Sequence, residues 1–268
     1  MKKFLPLLRS LRSPLKASLY IIMLTLFSAC SMEEDDTVEI QVAAASSMQD
    51  ALRDLEKEIE NQEEHIDVVF QFGGSGSLQR QIEQGAPFDI FLSASEADFN
   101  ALVEADKIKP EQAEHLLTND LVLIQPTNTK TPIDAVEELT KANIATIAIG
   151  TPESVPAGTF AKEALENMHM WEELEDNIVQ ARSVRQVLTY NEENSVDAGF
   201  VFKTDAEASN RVETRETISA NLHADILYPI GIVRDTDHPE AAAKIYDYLV
   251  SDEAKDVYEA YGYEVVEE

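Results

Sequence analysis

The sequence predicts an α/β protein, and three observations carry that prediction. Short apolar, strand-like runs alternate with helical patterns from Val38 to the end of the chain. Between those runs, apolar residues recur at three- and four-residue spacing, as in Met48, Leu52, Leu55 and Ile59. Turns rich in serine and glycine leave several of the strand-like runs and open directly into helices. Such alternation implies mainly parallel sheets flanked by helices. With 268 residues and 44% hydrophobic composition, the chain can bury the core of one large or two medium domains.

The first segment lies outside that pattern. Residues 1–29 hold five basic residues (Lys2, Lys3, Arg9, Arg12 and Lys16) and no acidic one, then an apolar run over 19–27 that is short for a membrane span, then the small pair Ser28-Ala29. This is the pattern of an export signal. Cys30, the only cysteine, follows immediately, so no intrachain disulfide can form. Its placement resembles the lipobox of bacterial lipoproteins, with Phe27 where that motif usually has leucine. The resemblance implies lipidation at Cys30, a short solvated tether over 30–37, and an extracytoplasmic location anchored to the cell membrane.

The formal net charge is −30, and without the signal only 16 basic residues (21 less 5) face 51 acidic ones. Binding a phosphate backbone needs clustered cations, so nucleic acid is excluded as a partner. Acidity spread over the whole chain suits a saline or alkaline exterior.

Strands are expected at 38–43, 68–72, 89–92, 121–125, 146–150, 199–202 and 228–233. Helical spacing recurs in Phe160, Ala164, Leu165 and Met168, and in Ile245, Leu249 and Val257, with closing helices over 238–251 and 252–261. No repeat, glycine-serine linker or low-complexity tract interrupts the chain. Two lobes would therefore be joined by strand-like crossings. The extended, proline-bearing segments LVLIQP (121–126) and LYPIGIV (227–233) fit that role best, with the closing helices returning to the N-terminal half.

Four turns then stand out. FGGSGSLQ (72–79) places Gly73, Gly74, Ser75, Gly76 and Ser77 between a strand and a helix. VAAASS (42–47) runs off a strand with Ser46 or Ser47 as N-cap and Asp50 at capping-box spacing. TPESVPAGT (151–159) enters the helix at Phe160, and Ser183-Val184-Arg185 precedes a helical run through Tyr190. A helix start offers unpaired N–H groups and about half a positive charge. Ligands of open α/β sheets sit outside the carboxyl ends of the strands. A single such turn caps a helix and nothing more, but several aimed at one point would hold a dianion without lysine or arginine.

AAASSMQDAL (43–52), FGGSGSLQRQIEQGAPFDIFLSA (72–94), GTPESVPAGTFAKEAL (150–165), GFVFKTDA (199–206) and YDYLVSDEAKDVYEAYGY (246–263) together resemble the molybdate-binding proteins of bacterial ABC importers. The resemblance spans nearly the whole chain after residue 37. It implies a type II periplasmic-binding-protein fold whose two lobes, 38–121 with 227–268 and 122–226, close on molybdate or tungstate and deliver it to a membrane permease. It also implies a monomer with no cofactor and no catalysis. Carried over position by position, Ser46 and Ser75 would donate through hydroxyl and backbone N–H, and Ala157 and Val184 through backbone N–H. The family's tyrosine donor falls on Phe202, which has no hydroxyl. A hydrogen bond is lost there, or Phe202 lines the cleft while another donor, such as Thr204 or a water, takes over, or the phenylalanine is a tolerated core substitution without functional meaning.

Other readings fit less well. Another tetrahedral oxyanion, sulfate above all, is the alternative ligand. A serine hydrolase built on Ser75 lacks the glycine pattern of a nucleophile elbow, and His65, His115, His169, His223 and His238 are scattered in charged contexts. No spacing for a protein-ligated metal is present. Arg80 and Arg185, beside two of the turns, read as structural ion pairs, and the acidic runs 56–64 and 264–268 as solvated surface.

Overall fold

The computed structural model describes residues 37–63, 65–140 and 144–266. The signal, Cys30 and all of the tether except Thr37 lie outside them. Among the described residues, no helix is long and apolar enough to cross a membrane.

Strand β1 (Val38–Ala45) pairs in parallel with β2 (Ile66–Gly73) and β3 (Ile90–Leu92). Its apolar residues from Val42 to Ala45 are buried, as expected for a strand covered on both faces. A 3-10 turn, Ser46–Met48, leads into α1 (Gln49–Gln62), which buries Ala51, Leu52, Leu55 and Ile59 along one stripe. Next come α2 (Ser75–Glu83) after β2, α3 (Glu96–Glu104) after β3, and β4 (Ile108–Thr118). Ser95 caps α3, its Oγ accepting from the Asp98 N–H at 3.1 Å.

The chain then builds a second sheet. Its elements are β5 (Leu121–Pro126), β6 (Ile147–Gly150), α4 (Pro156–Asn167), α5 (Trp171–Leu174), β7 (Ile178–Ala181), α6 (Val184–Glu192), β8 (Ala198–Phe202), α7 (Lys203–Glu207) and β9 (Val212–Thr217). It returns to the first sheet through β10 (Leu227–Val233), α8 (Pro239–Leu249), α9 (Asp252–Ala260) and β11 (Glu264–Val265). Helices α8 and α9 both pack against α1. The sheets run β11-β4-β10-β3-β1-β2 and β7-β6-β8-β5-β9. The two share a plan: β2-β1-β3 and β7-β6-β8 are parallel trios, and β10 or β5 lies antiparallel beside each.

This corrects four expectations. The sheets are mixed rather than mainly parallel, because β4, β5, β9, β10 and β11 all pair antiparallel. Strands β4, β5, β9 and β10 flank the passages between sheets, and β11 follows α9. The segments 121–126 and 227–233 each lie wholly within one sheet, and the chain passes between sheets at 119–120 and 218–226. Neither Ser46 nor Ser47 caps through its side chain: Ala45 precedes the 3-10 turn and Met48 precedes α1, without a side-chain cap at either. Within the acidic end, Glu264 and Val265 pair with β4 instead of remaining free surface.

Candidate functional site

Four helical segments begin around one small cavity. Ser46 opens the 3-10 turn after β1, Ser75 opens α2 after β2, Pro156-Ala157 opens α4 after β6, and Val184 opens α6 after β7. The cavity has a volume of about 10 Å³ and is lined by Ala45, Ser46, Ser47, Gly73, Gly74, Ser75, Ala94, Val155, Pro156, Ala157, Val184 and Phe202. All five residues singled out from the sequence, Ser46, Ser75, Ala157, Val184 and Phe202, therefore meet in one place. Thr204 does not: its Oγ1 accepts from Asn119 Nδ2 at 2.9 Å, and it borders a separate surface depression.

The geometry follows from local sequence. The N–H groups of Ser46, Ser75, Ala157 and Val184 stand in the first turn of a helix, where no upstream carbonyl is available to them. Ser75 is fully buried, and its Oγ accepts from the Ala94 N–H at 2.9 Å, so its proton remains free to be donated into the cavity. The Ser46 hydroxyl has no protein partner among the described residues. Gly158 lets α4 reach this position, since a Cβ there would stand 1.9 Å from the Gly150 carbonyl oxygen. Gly74 has an ordinary φ of −70°, and its need is space. A Cβ would meet the Ser154 carbonyl oxygen at 2.4 Å and Val155 Cγ2 at 2.9 Å, on the loop from the other sheet.

No charged side chain lines the cavity. Its volume lies far below the roughly 300–1,000 Å³ of pockets for drug-sized ligands, so the space between the helix starts admits only a small group. With backbone N–H donors and no carboxylate in the lining, it favours an anion. Larger depressions, of about 400 and 670 Å³, carry exposed acidic groups such as Asp235, Asp237, Glu207 and Glu259 and none of the five residues.

Behind the cavity lies a buried tyrosine network. Tyr228 OH is 3.2 Å from Ser47 Oγ and 3.3 Å from Asn119 Nδ2, while Tyr263 OH donates to the Ser47 carbonyl at 2.9 Å. Burial pushes the Tyr228 hydroxyl well above its usual titration range, and the neighbouring Tyr263 adds to this. Asp205, one turn from Phe202, is raised to about 7 by burial, which outweighs the opposing Arg185 charge and the Phe202 main chain. Arg185 forms ion pairs with Asp50 and Asp205. Arg80 donates to the Glu153 carbonyl at 3.0 Å, and its charge also favours the ionised form of the partly buried Asp98. Ala94 and the tyrosines gave no usable sequence signal, and Ser47 only that of a helix cap, because partners such as Ser47 and Tyr228 are 181 positions apart.

Residues 40–264 match the family model described as bacterial extracellular solute-binding protein. The chain belongs to that family. This solute-binding protein is 42% identical over 256 residues to the lipoprotein YvgL of Bacillus subtilis, assigned to ABC-transporter substrate binding, covering 92% of this chain and 98% of YvgL. It is 35% identical to the molybdate-binding protein ModA of Haemophilus influenzae, covering 85% of this chain and 90% of ModA. Among solved structures, the substrate-binding domain of a Clostridium difficile transporter assigned to molybdenum superposes with a TM-score of 0.65 at 33% identity, covering 86% of this chain and all of that one. The periplasmic molybdate-binding protein of Azotobacter vinelandii superposes at 0.75 with 23% identity, covering 85% of this chain and all of that one. The solute-binding protein thus has the two-lobe periplasmic-binding-protein architecture, an α/β fold of two sheets with flanking helices.

Proposed function

We propose that this protein captures molybdate or tungstate outside the cytoplasm and delivers it to the permease of an ABC importer. The observation that carries the reading is the convergence of four helix starts, two from each sheet, on a cavity without charged lining residues. The molybdate-binding relatives named above add to it. Ser46 and Ser75 donate through hydroxyl and N–H, Ala157 and Val184 through N–H, and Phe202 closes the cavity as an apolar wall. These donors converge on the oxygens of a dianion, and a protonated oxygen, as on hydrogen phosphate, facing one of the backbone N–H groups would leave that donor poorly matched.

Residues 38–118 with 227–266 build one lobe and 121–217 the other, joined by the passages at 119–120 and 218–226, and the lobes close on the ion to make the surface that the permease recognises. The protein works as a monomer, held to the membrane through lipidated Cys30, and catalyses no reaction. Ser75 serves as a donor and not as a nucleophile; its oxygen is held by the Ala94 N–H and no histidine lines the cavity.

Calorimetric titration of the full chain with molybdate, tungstate, sulfate and phosphate tests the reading. Heat from the first two alone is expected. Comparable binding of sulfate would replace the ligand, and no binding of any of the four would overturn the function.

A further inference from the structure

Three side chains beyond the cavity lining form a line of charge at its edge. Arg185, the second residue of α6, donates through Nη2 to Asp50 Oδ2 at the start of α1, and its Nε lies 3.7 Å from Oδ1 of Asp205 on α7. Helix α1 packs on β2 of the six-stranded sheet, whereas α6 and α7 pack on β8 of the five-stranded sheet. The pair with Asp50 thus spans the two halves, and the pair with Asp205 stays within one.

The two carboxylates differ in a way that gives them different parts. Asp205 is buried with no hydrogen-bond partner for either oxygen, while 43% of the Asp50 side chain is exposed. A buried carboxylate without hydrogen bonds is costly unless a cation stays beside it. An exposed one is solvated when its partner leaves. If the halves separate, Arg185 is therefore retained by Asp205 and Asp50 is released to water. Because Arg185 follows Val184 directly, the bond to Asp50 also fixes the first turn of α6 against the Ser46–Met48 turn, which α6 touches.

We infer that Arg185 is a closure latch: Asp205 holds it poised on one side of the cleft, and its bond to Asp50 on the other keeps the cleft shut with the Val184 N–H turned to the cavity. It is a positioning residue, since it does not line the cavity. The inference rests on the oxyanion reading for the identity of the ligand, but not for the closure itself.

The test uses the full chain carrying Cys30→Ser, with spin labels on cysteines introduced at exposed Glu60 of α1 and Glu166 of α4. Pulsed dipolar spectroscopy then reads the distance between the halves with and without molybdate. In the ligand-free protein, a short-distance population is expected that falls about three- to fivefold in Asp50→Asn, and that shrinks with salt in the parent but not in the variant. With molybdate, Asp50→Asn should release the ion about three- to fivefold faster at an unchanged association rate. Arg185→Lys keeps the charge beside Asp205, and so the fold, but loses the planar fork; it should fall between the two. Equal closed populations in parent and Asp50→Asn would overturn the latch whether or not molybdate binds. A parent that closes with the expected dependence on Asp50 yet gives no heat with molybdate would uphold the latch and overturn the ligand reading.

Discussion

The ring of Phe202 meets that of Tyr228 edge-on, with centroids 5.9 Å apart. The aromatic wall of the cavity is therefore backed by a tyrosine whose own hydroxyl is engaged elsewhere, with Ser47 and Asn119. Tyr228 does not replace the hydroxyl that Phe202 lacks, so the cavity is one donor short of the pattern that the sequence resemblance implies. Phe202→Tyr should add a hydrogen bond to a charged group, of about 1.5–3 kcal/mol, and so tighten molybdate binding about ten- to a hundredfold. Calorimetry checks this; an unchanged affinity would mean that the oxygens are already saturated by the backbone donors.

The two serines should behave differently when truncated. Ser46→Ala removes a hydroxyl without a protein partner and should weaken binding while leaving the unfolding midpoint nearly unchanged. Ser75→Ala should weaken binding and also leave the Ala94 N–H buried without its acceptor, at a cost of about 1–3 kcal/mol in stability. Denaturant unfolding beside ligand titration separates the two effects, and equal stability of the two variants would refute the distinction.

Gly74→Ala should act on closure and not on folding, because the obstacle to its Cβ, Ser154 and Val155, sits on the opposite half. The variant should keep the unfolding transition of the ligand-free protein and lose more than about tenfold in affinity. Small-angle scattering with saturating molybdate should show it remaining more extended than the parent.

Asp205 makes stability depend on pH in a definite direction. Its carboxyl is raised to about 7 in the folded protein, from 3.8 when unfolded, so between those values the folded state holds the extra proton. The associated stability is fully present below about pH 4 and is lost as pH rises through about 7. Asp205→Asn removes this contribution. Its unfolding midpoint should therefore gain on that of the parent between pH 5 and pH 8, and a constant difference over that range would exclude Asp205 as the source.

The acidity of the surface acts at another range. Helix-end dipoles and hydroxyls act within a few ångströms in the closed cavity, while surface carboxylates are screened beyond about 8–10 Å at physiological salt. Affinity can then be carried by local donors although the formal net charge is −30. Long-range repulsion remains in the encounter, so stopped-flow association of molybdate should speed up as salt rises. A rate falling with salt would mean that attraction governs the approach.

Much of this was legible in the chain because it is local. The stripe of Leu52, Leu55 and Ile59, the Ser183 cap whose Oγ accepts from the Gln186 N–H at 3.2 Å, and the strand-to-helix turns all depend on neighbours a few positions away. Strands β4, β7 and β9 were less legible. Their polar residues are half-exposed, and LYPIGIV looks the same whether a strand crosses between sheets or, as β10 does, stays within one.

The sequence by itself determined the α/β alternation, the four turns able to present backbone donors, and the absence of a tyrosine at position 202, since each is a property of a few consecutive residues. Only the tertiary structure decided that these turns face one another, that Ser47 answers to Tyr228 across 181 positions, that Gly74 is small for the sake of Ser154, and that Arg185 reaches Asp50 across 135. Long-range burial and packing place those partners, and neither leaves a period or a spacing in the chain that could be read beforehand.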